Sequence, residues 1–123
     1  MKESSLAICL PAIREDIRQH EQHLSRLESI RQKEERAPWY TDLSQITHAI
    51  EEEQAALDVL HEKESAALGL IHSIPDARER AAFGLTHADE IPLGIVAKTL
   101  EVTEEEAARL WLRAYNRMVE KEK

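Results

Sequence analysis

Apolar residues recur every three or four positions along most of this chain, and two long stretches carry the pattern most clearly. Such spacing lines one face of an α-helix with apolar side chains. The first stretch has the seam Ile13, Ile17, His20, Leu24, Leu27 and Arg31. The second has the seam Leu43, Ile46, Ile50, Glu53, Leu57, Leu60, Glu64, Ala67 and Ile71. The pattern predicts two long helices, each of which needs a partner helix to be stable.

The two predicted helices are separated at Pro38, which disfavours the helical conformation of the residue before it. Long helices joined by a short loop pack as an antiparallel hairpin. Each helix has a single apolar stripe, so a two-helix hairpin leaves some apolar surface uncovered. We therefore predict that residues 1–73 form a coiled-coil-like oligomerisation domain and that the protein is a homodimer.

The last third of the chain contains start signals for three shorter helices. Pro75 or Asp76 can begin the first, Pro92 stands at the start of the second, and Thr103 can cap the third. The second helix should carry Ile95, Val96 and Leu100 on its inward face. Thr103 and Glu106 have the spacing of a capping box, in which each side chain accepts a hydrogen bond from the backbone N–H of the other residue. The tight turn before Thr103 predicts a helix-turn-helix.

These elements together predict an all-α fold. It consists of a long antiparallel helical hairpin followed by a C-terminal three-helix helix-turn-helix unit over residues 74–123. The composition favours the same class, because aromatic residues make up only 4% of the chain and no run alternates Val, Ile and Thr as a strand would.

The cysteine content and the hydropathy of the sequence indicate the cellular compartment in which we expect the protein. The single Cys9 excludes an intramolecular disulfide and a multi-cysteine zinc site. The sequence shows no signal peptide and no long apolar span. We therefore expect a cytoplasmic protein without a membrane partner.

The formal net charge of −8 argues against nucleic-acid binding over the whole surface, but the charge is unevenly distributed. Residues 39–74 carry seven acids and one lysine, whereas residues 107–123 carry five basic residues and two acids. A small basic surface at one end of an acidic protein fits local DNA contact. The same charges could equally serve only to keep long helices solvated.

The basic residues of the last helix recur every four positions and so share one face: Arg109, Arg113, Arg117 and Lys121. One interpretation is contact with DNA phosphates. The other is that these cations complement the helix dipole or pair with nearby acids. The first turn of the helix is acidic, with Glu104, Glu105 and Glu106. These carboxylates would repel DNA phosphates, although a carboxylate can still accept a hydrogen bond from the amino group of cytosine.

Four residues of the last helix should pack into the three-helix unit: Ala107, Leu110, Ala114 and Met118. The apolar arc of this helix is wider than such a core requires, because it also includes Trp111, Leu112, Tyr115 and Val119. These side chains could pack against the hairpin, or they could form a dimer interface. The residues predicted for a dimer interface, here and in the hairpin, are Ile13, Ile17, Leu24, Leu27, Leu57, Leu60, Trp111 and Tyr115.

Catalytic and metal-binding patterns are weak in this sequence. His20 with His23, and Asp58 with His61, have spacings that can share a metal, but the paired carboxylate-x-x-His motifs of a bundle metal site are incomplete. Glu51, Glu52 and Glu53 have the pattern of a solvated face. We predict no enzyme activity, no metal site and no cofactor.

Residues 70–120 resemble region 4 of bacterial sigma factors and its relatives. The similar segments are IHSIPDARERAAFGL, IPLGIVAKTLEVTEEEAARLWLRAYNRM and an ending of the form Arg-Ala-x-x-x-Met. A long hairpin before such a unit is similar to small phage transcriptional regulators of the RinA and ArpU kind. The resemblance implies DNA contacts from the last helix, at Thr103, Glu105, Arg109, Arg113 and Arg117, to which the basic face adds Lys121.

Three functions remain open. The first is a phage-derived DNA-binding transcriptional regulator that uses the C-terminal helix-turn-helix. The second is an acidic helical interaction module or inhibitor, which binds RNA polymerase or another host protein without reading DNA. The third is a packaging helper built on a helical oligomer, although such proteins usually place the helix-turn-helix before the hairpin.

Overall fold

The computed structural model describes residues 3–36 and 43–120, and the regular structure of these residues is entirely α-helical. The helices are α1 (Glu3–Ile8), α2 (Leu10–Glu35), α3 (Ser44–His72), α4 (Ala77–His87), α5 (Leu93–Leu100) and α6 (Glu104–Glu120). The predicted all-α class is confirmed. The predicted loop around Pro38 lies outside the described residues. None of the described helices is both long enough and apolar enough to span a membrane.

The chain forms two compact units whose boundaries differ from the predicted division between residues 73 and 74. One unit combines Met1–Ile13 with Lys63–Lys123, and the other is Arg14–Glu62. The first unit includes the first and the last residues of the predicted hairpin, because Leu10 and Ile71 share a buried cluster with Met118. An oligomerisation role for residues 1–73 stays a prediction.

The first unit has its core around one face of α6. That helix packs against α1, α4 and α5, and α4 also packs against α5. The four residues predicted to face inward are all buried: Ala107, Leu110, Ala114 and Met118. Ala114 and Met118 join one cluster with Phe83 of α4, while Leu110 joins another with Ala82 and Val96. The spacing of three and four residues therefore identified the buried side of α6 correctly.

The start of α4 lies where Asp76 was proposed to begin a helix. The Asp76 carboxylate accepts hydrogen bonds from the backbone N–H groups of Arg78 and Glu79, each at 2.9 Å. These bonds satisfy two of the donors that every helix leaves free at its N-terminus. The first turn of α4 is thereby fixed opposite α6.

The turn between α5 and α6 contains a non-glycine residue in the left-handed conformation. Glu101 has φ 59° and ψ 43°. The Glu101 N–H donates to Lys98 O at 3.2 Å and the Val102 N–H to Ala97 O at 3.0 Å. This pair of bonds is a Schellman motif, which ends a helix within one residue. The absence of glycine from this position does not prevent the tight turn.

One prediction for α5 is wrong. Ile95 was expected to face inward with Val96 and Leu100, but it is 53% exposed. The helix has only eight residues, and Val96 and Ala97 already fill its buried side. Ile95 precedes them and points to solvent.

Both apolar and polar contacts hold the helices of the second unit together. Ile17, Ile50 and Leu57 are buried, as the two seams predicted. His20 and Glu53, which also occupy seam positions, are hydrogen-bonded to each other across the two helices. The seam therefore includes a polar pair in addition to its apolar residues.

Candidate nucleic-acid interface on α6

The first turn of α6 has a side-chain cap and an acidic sequence, both of which stabilise the start of a helix. The Thr103 hydroxyl accepts a hydrogen bond from the Glu106 N–H at 3.1 Å, which confirms one half of the predicted capping box. The reciprocal bond is not formed among the described residues, because the Glu106 carboxylate binds Arg109. Glu104, Glu105 and Glu106 place negative charge at the positive end of the helix dipole, which stabilises the helix.

Arg109 is held by these same carboxylates. Its Nη1 lies 3.1 Å from Glu106 Oε2, and its Nη2 lies 3.8 Å from Glu105 Oε2. The Arg109 side chain is nevertheless 61% exposed. Exposed ion pairs of this kind are weak, about 0.3–0.5 kcal/mol on a helix, so the guanidinium can be redirected to another anion at small cost.

Arg113 and Arg117 lie near the N-terminus of α4. Arg117 Nε is 3.2 Å from Glu79 Oε2, and Glu79 is buried. Hydrogen bonds from the backbone N–H groups of Glu79 and Arg78, aided by the charges of Arg117 and Arg113, hold the pKa of Asp76 below its ordinary value. The C-terminal half of the predicted basic face is therefore oriented partly by acids of the same chain.

The predicted DNA-contact residues thus differ in their availability. Glu105 is highly exposed, Arg109 is exposed but paired, and Arg113 is exposed on the same helix. The Thr103 hydroxyl is used by the helix cap and Arg117 by the buried Glu79. Lys121 lies outside the described residues.

The opposite flank of α6 is aromatic, and the rings form a continuous stack with α4. Phe83 and His87 are parallel with centroids 4.2 Å apart, and the Trp111 ring stacks on His87 at 5.6 Å. Tyr115 stacks on Trp111 at 5.3 Å. Trp111 and Tyr115 therefore pack within their own unit. A further role for them in a dimer interface stays a prediction.

His87 was not singled out from the sequence. Trp111 Nε1 donates a hydrogen bond to His87 Nδ1 at 3.2 Å, and burial lowers the pKa of the His87 ring. The neutral ring with its hydrogen on Nε2 is the form that can accept this bond. The signal available in the sequence was spacing, since Phe83 and His87, like Trp111 and Tyr115, are four residues apart and share a helix face.

Beside this stack lies an apolar cavity of about 370 Å³. It is lined by Thr86, His87, Ile91, Leu93, Ala108 and Trp111. Two large apolar side chains on the helices around it are half exposed, Ile95 at 53% and Leu112 at 51%. The sequence had indicated a wide apolar arc on α6 but not a cavity.

The second unit contains a polar cluster around Glu53, a residue that was predicted to lie on a solvated face. Glu53 was grouped with Glu51 and Glu52 as a solvated face, but its side chain is only 15% exposed. His20 Nδ1 lies 2.6 Å from Glu53 Oε2, and His23 Nδ1 lies 2.8 Å from Glu53 Oε1. Hydrogen bonds from His20 and His23 hold the pKa of Glu53 below its ordinary value. Among the described residues no group of three acidic, histidine or cysteine side chains is arranged to hold a metal ion.

The residues predicted for a dimer interface in the hairpin fall into two groups. Ile13, Ile17 and Leu57 are buried within the chain itself. Leu24, Leu27 and Leu60 are half-buried. Two large apolar side chains in the same helices are exposed, Ile30 at 45% and Val59 at 50%, and the interface prediction did not include them.

Comparison of the chain with protein-family models, with curated proteins and with solved structures gives no match.

Proposed function

We propose that this protein is a DNA-binding transcriptional regulator of the phage type, with α5, the turn at Glu101 and α6 acting as a helix-turn-helix. The observation that carries the proposal is the turn itself. Only three residues separate α5 from α6, and a Schellman motif followed by the Thr103 cap fixes both helix ends. A helix-turn-helix needs a short, well-defined turn of this kind so that the second helix can enter the major groove.

The solvent-facing side of α6 supplies the DNA contacts in this proposal. Arg109 and Arg113 bind phosphates, and Glu105 reaches the bases near the start of the helix, where a carboxylate can accept from the amino group of cytosine. Arg109 leaves its weak pair with Glu106 to bind a phosphate. Arg117 contributes indirectly, because its contact with Glu79 ties α6 to α4.

The test is a gel shift at several salt concentrations with genomic fragments and with random DNA of equal length. We expect Arg109→Ala with Arg113→Ala to weaken binding at least tenfold and to make it less dependent on salt, because two phosphate contacts are lost. The matched control is Arg18→Ala with Arg26→Ala, which removes the same charge from exposed positions of α2. Equal affinity of the two double variants would contradict the proposal.

The second candidate is an acidic interaction module or inhibitor that binds RNA polymerase or another host protein. Exposed Ile95 and Leu112 support it, because they are large apolar side chains on the two helices, α5 and α6, that contribute residues to the apolar cavity. The acidic first turn of α6 supports it as well, since it repels phosphates. A pull-down from host lysate that survives nuclease treatment and is lost in Leu112→Lys is the expected result for this candidate.

A further inference from the structure

The cavity beside the aromatic stack has the size and the walls of a binding site. Its volume, about 370 Å³, lies in the range of about 300–1,000 Å³ that is usual for ligand pockets. Three parts of the first unit form it: the end of α4 with Thr86 and His87, the start of α5 with Leu93 and the preceding Ile91, and α6 with Ala108 and Trp111. Most of these side chains are apolar or aromatic.

The aromatic wall of the cavity is made of stacked, uncharged rings. His87 is stacked on Phe83 and receives the Trp111 Nε1–H, so the main polar atoms of these two rings satisfy each other. Burial lowers the pKa of His87, which keeps its ring neutral at neutral pH. An apolar side chain entering the cavity would meet ring faces and aliphatic groups without breaking a hydrogen bond.

Three acidic residues flank the segments that line the cavity. Asp89 and Glu90 are exposed and directly precede Ile91 in the chain. Glu104 stands one helical turn before Ala108, and its carboxylate lies over Gly94, where an added Cβ would be 2.7 Å from Glu104 Oε1. Gly94 follows Leu93, so this carboxylate borders the α5 side of the cavity. Acids around an apolar pocket favour a ligand that is apolar at its centre and positively charged at its ends.

From this charge complementarity we infer that the cavity binds a basic peptide segment of a partner protein, with one aromatic or leucine side chain inserted and flanking lysines or arginines beside Asp89, Glu90 and Glu104. Leu112, one turn beyond Ala108 on α6, extends the apolar contact along the helix. The carboxylates disfavour a phosphate inside the cavity, because like charges repel each other. This inference rests on the second candidate function and names the chemistry of its partner.

Three synthetic 15-residue peptides test the inference by titration into the ¹⁵N-labelled full chain. The first is rich in lysine and has a central Trp and Leu, the second has both replaced by Ala, and the third has the lysines replaced by Glu. We expect the first peptide to shift the amide signals of Leu93 and Ala108 and the Trp111 indole signal. The other two should bind at least tenfold more weakly. Equal binding of the alanine peptide would overturn the use of the cavity, and equal binding of the glutamate peptide would overturn the charge argument.

Two variants locate the site. Ala108→Phe places a ring in the cavity and should lower the affinity for the first peptide at least tenfold. Glu90→Gln with Glu104→Gln should lower this affinity severalfold and make it less dependent on salt. Glu21→Gln with Glu62→Gln, at exposed positions of the other unit, is the matched charge control and should have no effect. Unchanged affinity in both site variants would overturn the inference.

Two further measurements separate this inference from the proposed functions and from self-association. A gel shift with Ala108→Phe should match the unmodified chain, so a failure to bind DNA and a failure to bind the peptide remain distinguishable. Dilution of the labelled chain without peptide should leave the Leu93 and Ala108 signals in place. A shift on dilution would show that a second copy of the chain occupies the cavity, which would overturn the inference.

Discussion

Glu79 is a carboxylate buried in the first unit, and its environment depends on one arginine. Its Oε2 lies 3.2 Å from Arg117 Nε, but none of the described residues donates a hydrogen bond of good geometry to that oxygen. A buried charge without a partner is costly, so the guanidinium of Arg117 is the main compensation. Arg117 is therefore a structural residue first, and its replacement is a poor test of DNA binding.

We predict that Arg117→Ala lowers the free energy of unfolding by about 1–3 kcal/mol. This is less than the loss of a fully buried pair, because Arg117 is itself 50% exposed. Urea denaturation followed by circular dichroism measures the change. Arg113→Ala is the control, and it should stay within about 0.5 kcal/mol because exposed surface changes usually do.

The same measurement on Glu79→Gln with Arg117→Ala checks the cause. Removing both charges leaves no buried ion uncompensated, so the double variant should recover most of the stability lost in Arg117→Ala. If the double variant is as unstable as the sum of the single changes, the loss comes from packing of the Arg117 side chain and the ion-pair explanation is wrong.

His87 predicts a pH dependence of stability. Burial lowers its pKa in the folded chain below the ordinary value of 6.5, so the unfolded chain binds the proton more readily. Stability should therefore be fully present above about pH 6.5 and should fall as the pH drops from there toward the lower folded pKa. Urea midpoints at pH 7.5 and pH 5.0 measure the difference.

His87→Gln is the variant that isolates this effect from the other histidines. The glutamine amide oxygen can still accept from Trp111 Nε1, while the ring stack is lost at a cost of about 1 kcal/mol. We expect the variant to be less stable at pH 7.5 and to lose less stability between the two pH values. An unchanged pH dependence would show that His87 titrates normally in the folded chain.

The polar pair His20–Glu53 shows what residue types alone can and cannot predict. Both residues occupied seam positions in the sequence, and two opposing polar residues on the apolar stripes of an antiparallel hairpin could have been matched to each other. Glu53 was instead grouped with its acidic neighbours, because adjacency in sequence is easier to see than adjacency across two helices. The involvement of His23 depends on side-chain geometry that the spacing does not contain.

At the scale of the helix, the α5–α6 turn combines one favourable and one unfavourable residue. The Thr103 cap satisfies a free backbone donor of α6, whereas Glu101 adopts a left-handed conformation that costs a non-glycine residue roughly 1 kcal/mol. The bonds of the Schellman motif and the packing of the flanking helices offset this cost. The turn therefore combines one strained residue with a capped helix start.

Opposite effects are predicted for two substitutions in this turn. Glu101→Gly should raise the free energy of unfolding by up to about 1 kcal/mol, because glycine adopts positive φ without a steric penalty. Thr103→Ala should lower it by about 1 kcal/mol, because the Glu106 N–H loses its acceptor. Thermal unfolding of both variants measures the effects, with Thr99→Ala on the exposed side of α5 as a control for loss of a threonine. Destabilisation by Glu101→Gly would mean that the Glu101 side chain makes a contact more important than its backbone strain.

Helix ends and buried faces were the parts of the fold that could be predicted. Asp76 and Thr103 act as caps because their side chains reach backbone donors two or three residues ahead, a local property of the sequence. The burial of Ala114 and Met118 followed from periodicity. Ile95 was misplaced because a helix as short as α5 has too few turns for its buried side to be defined by spacing alone.

At the scale of the whole molecule, the predicted division of the chain separated the long hairpin helices from the helix-turn-helix unit that begins at residue 74. The packing follows apolar burial instead, and it joins Ala7 and Leu10 of the N-terminal region to Ile74 and Phe83. Such long-range contacts depend on which apolar faces meet in space, and periodicity assigns a face to each helix without naming its partner. The cavity near Trp111 was hidden for the same reason, since three separate segments form its walls.

Self-association of the whole molecule is predicted from the apolar residues of the two long helices, α2 and α3. Some of their apolar residues are used inside the chain, but Ile30 of α2 is 45% exposed and Val59 of α3 is 50% exposed. Covering these side chains in a dimer would remove apolar surface from water, which favours association. We therefore predict that Ile30 and Val59, which are exposed in the single chain, lie in the interface of the homodimer.

We predict that the chain elutes with twice its monomer mass of 14.1 kDa in size-exclusion chromatography with light scattering. Ile30→Lys with Val59→Lys should convert it to the monomer mass without loss of helicity, because both side chains are solvent-exposed in the single chain and the added charges would be costly to bury in a dimer. Leu112→Lys, at an equally exposed apolar position of α6, is the matched control and should leave the dimer intact. If Leu112→Lys gives the monomer and the hairpin variant does not, the dimer forms through the flank of α6 that carries Trp111 and Tyr115. A monomer at all concentrations of the unmodified chain would show that the exposed apolar side chains serve a different partner.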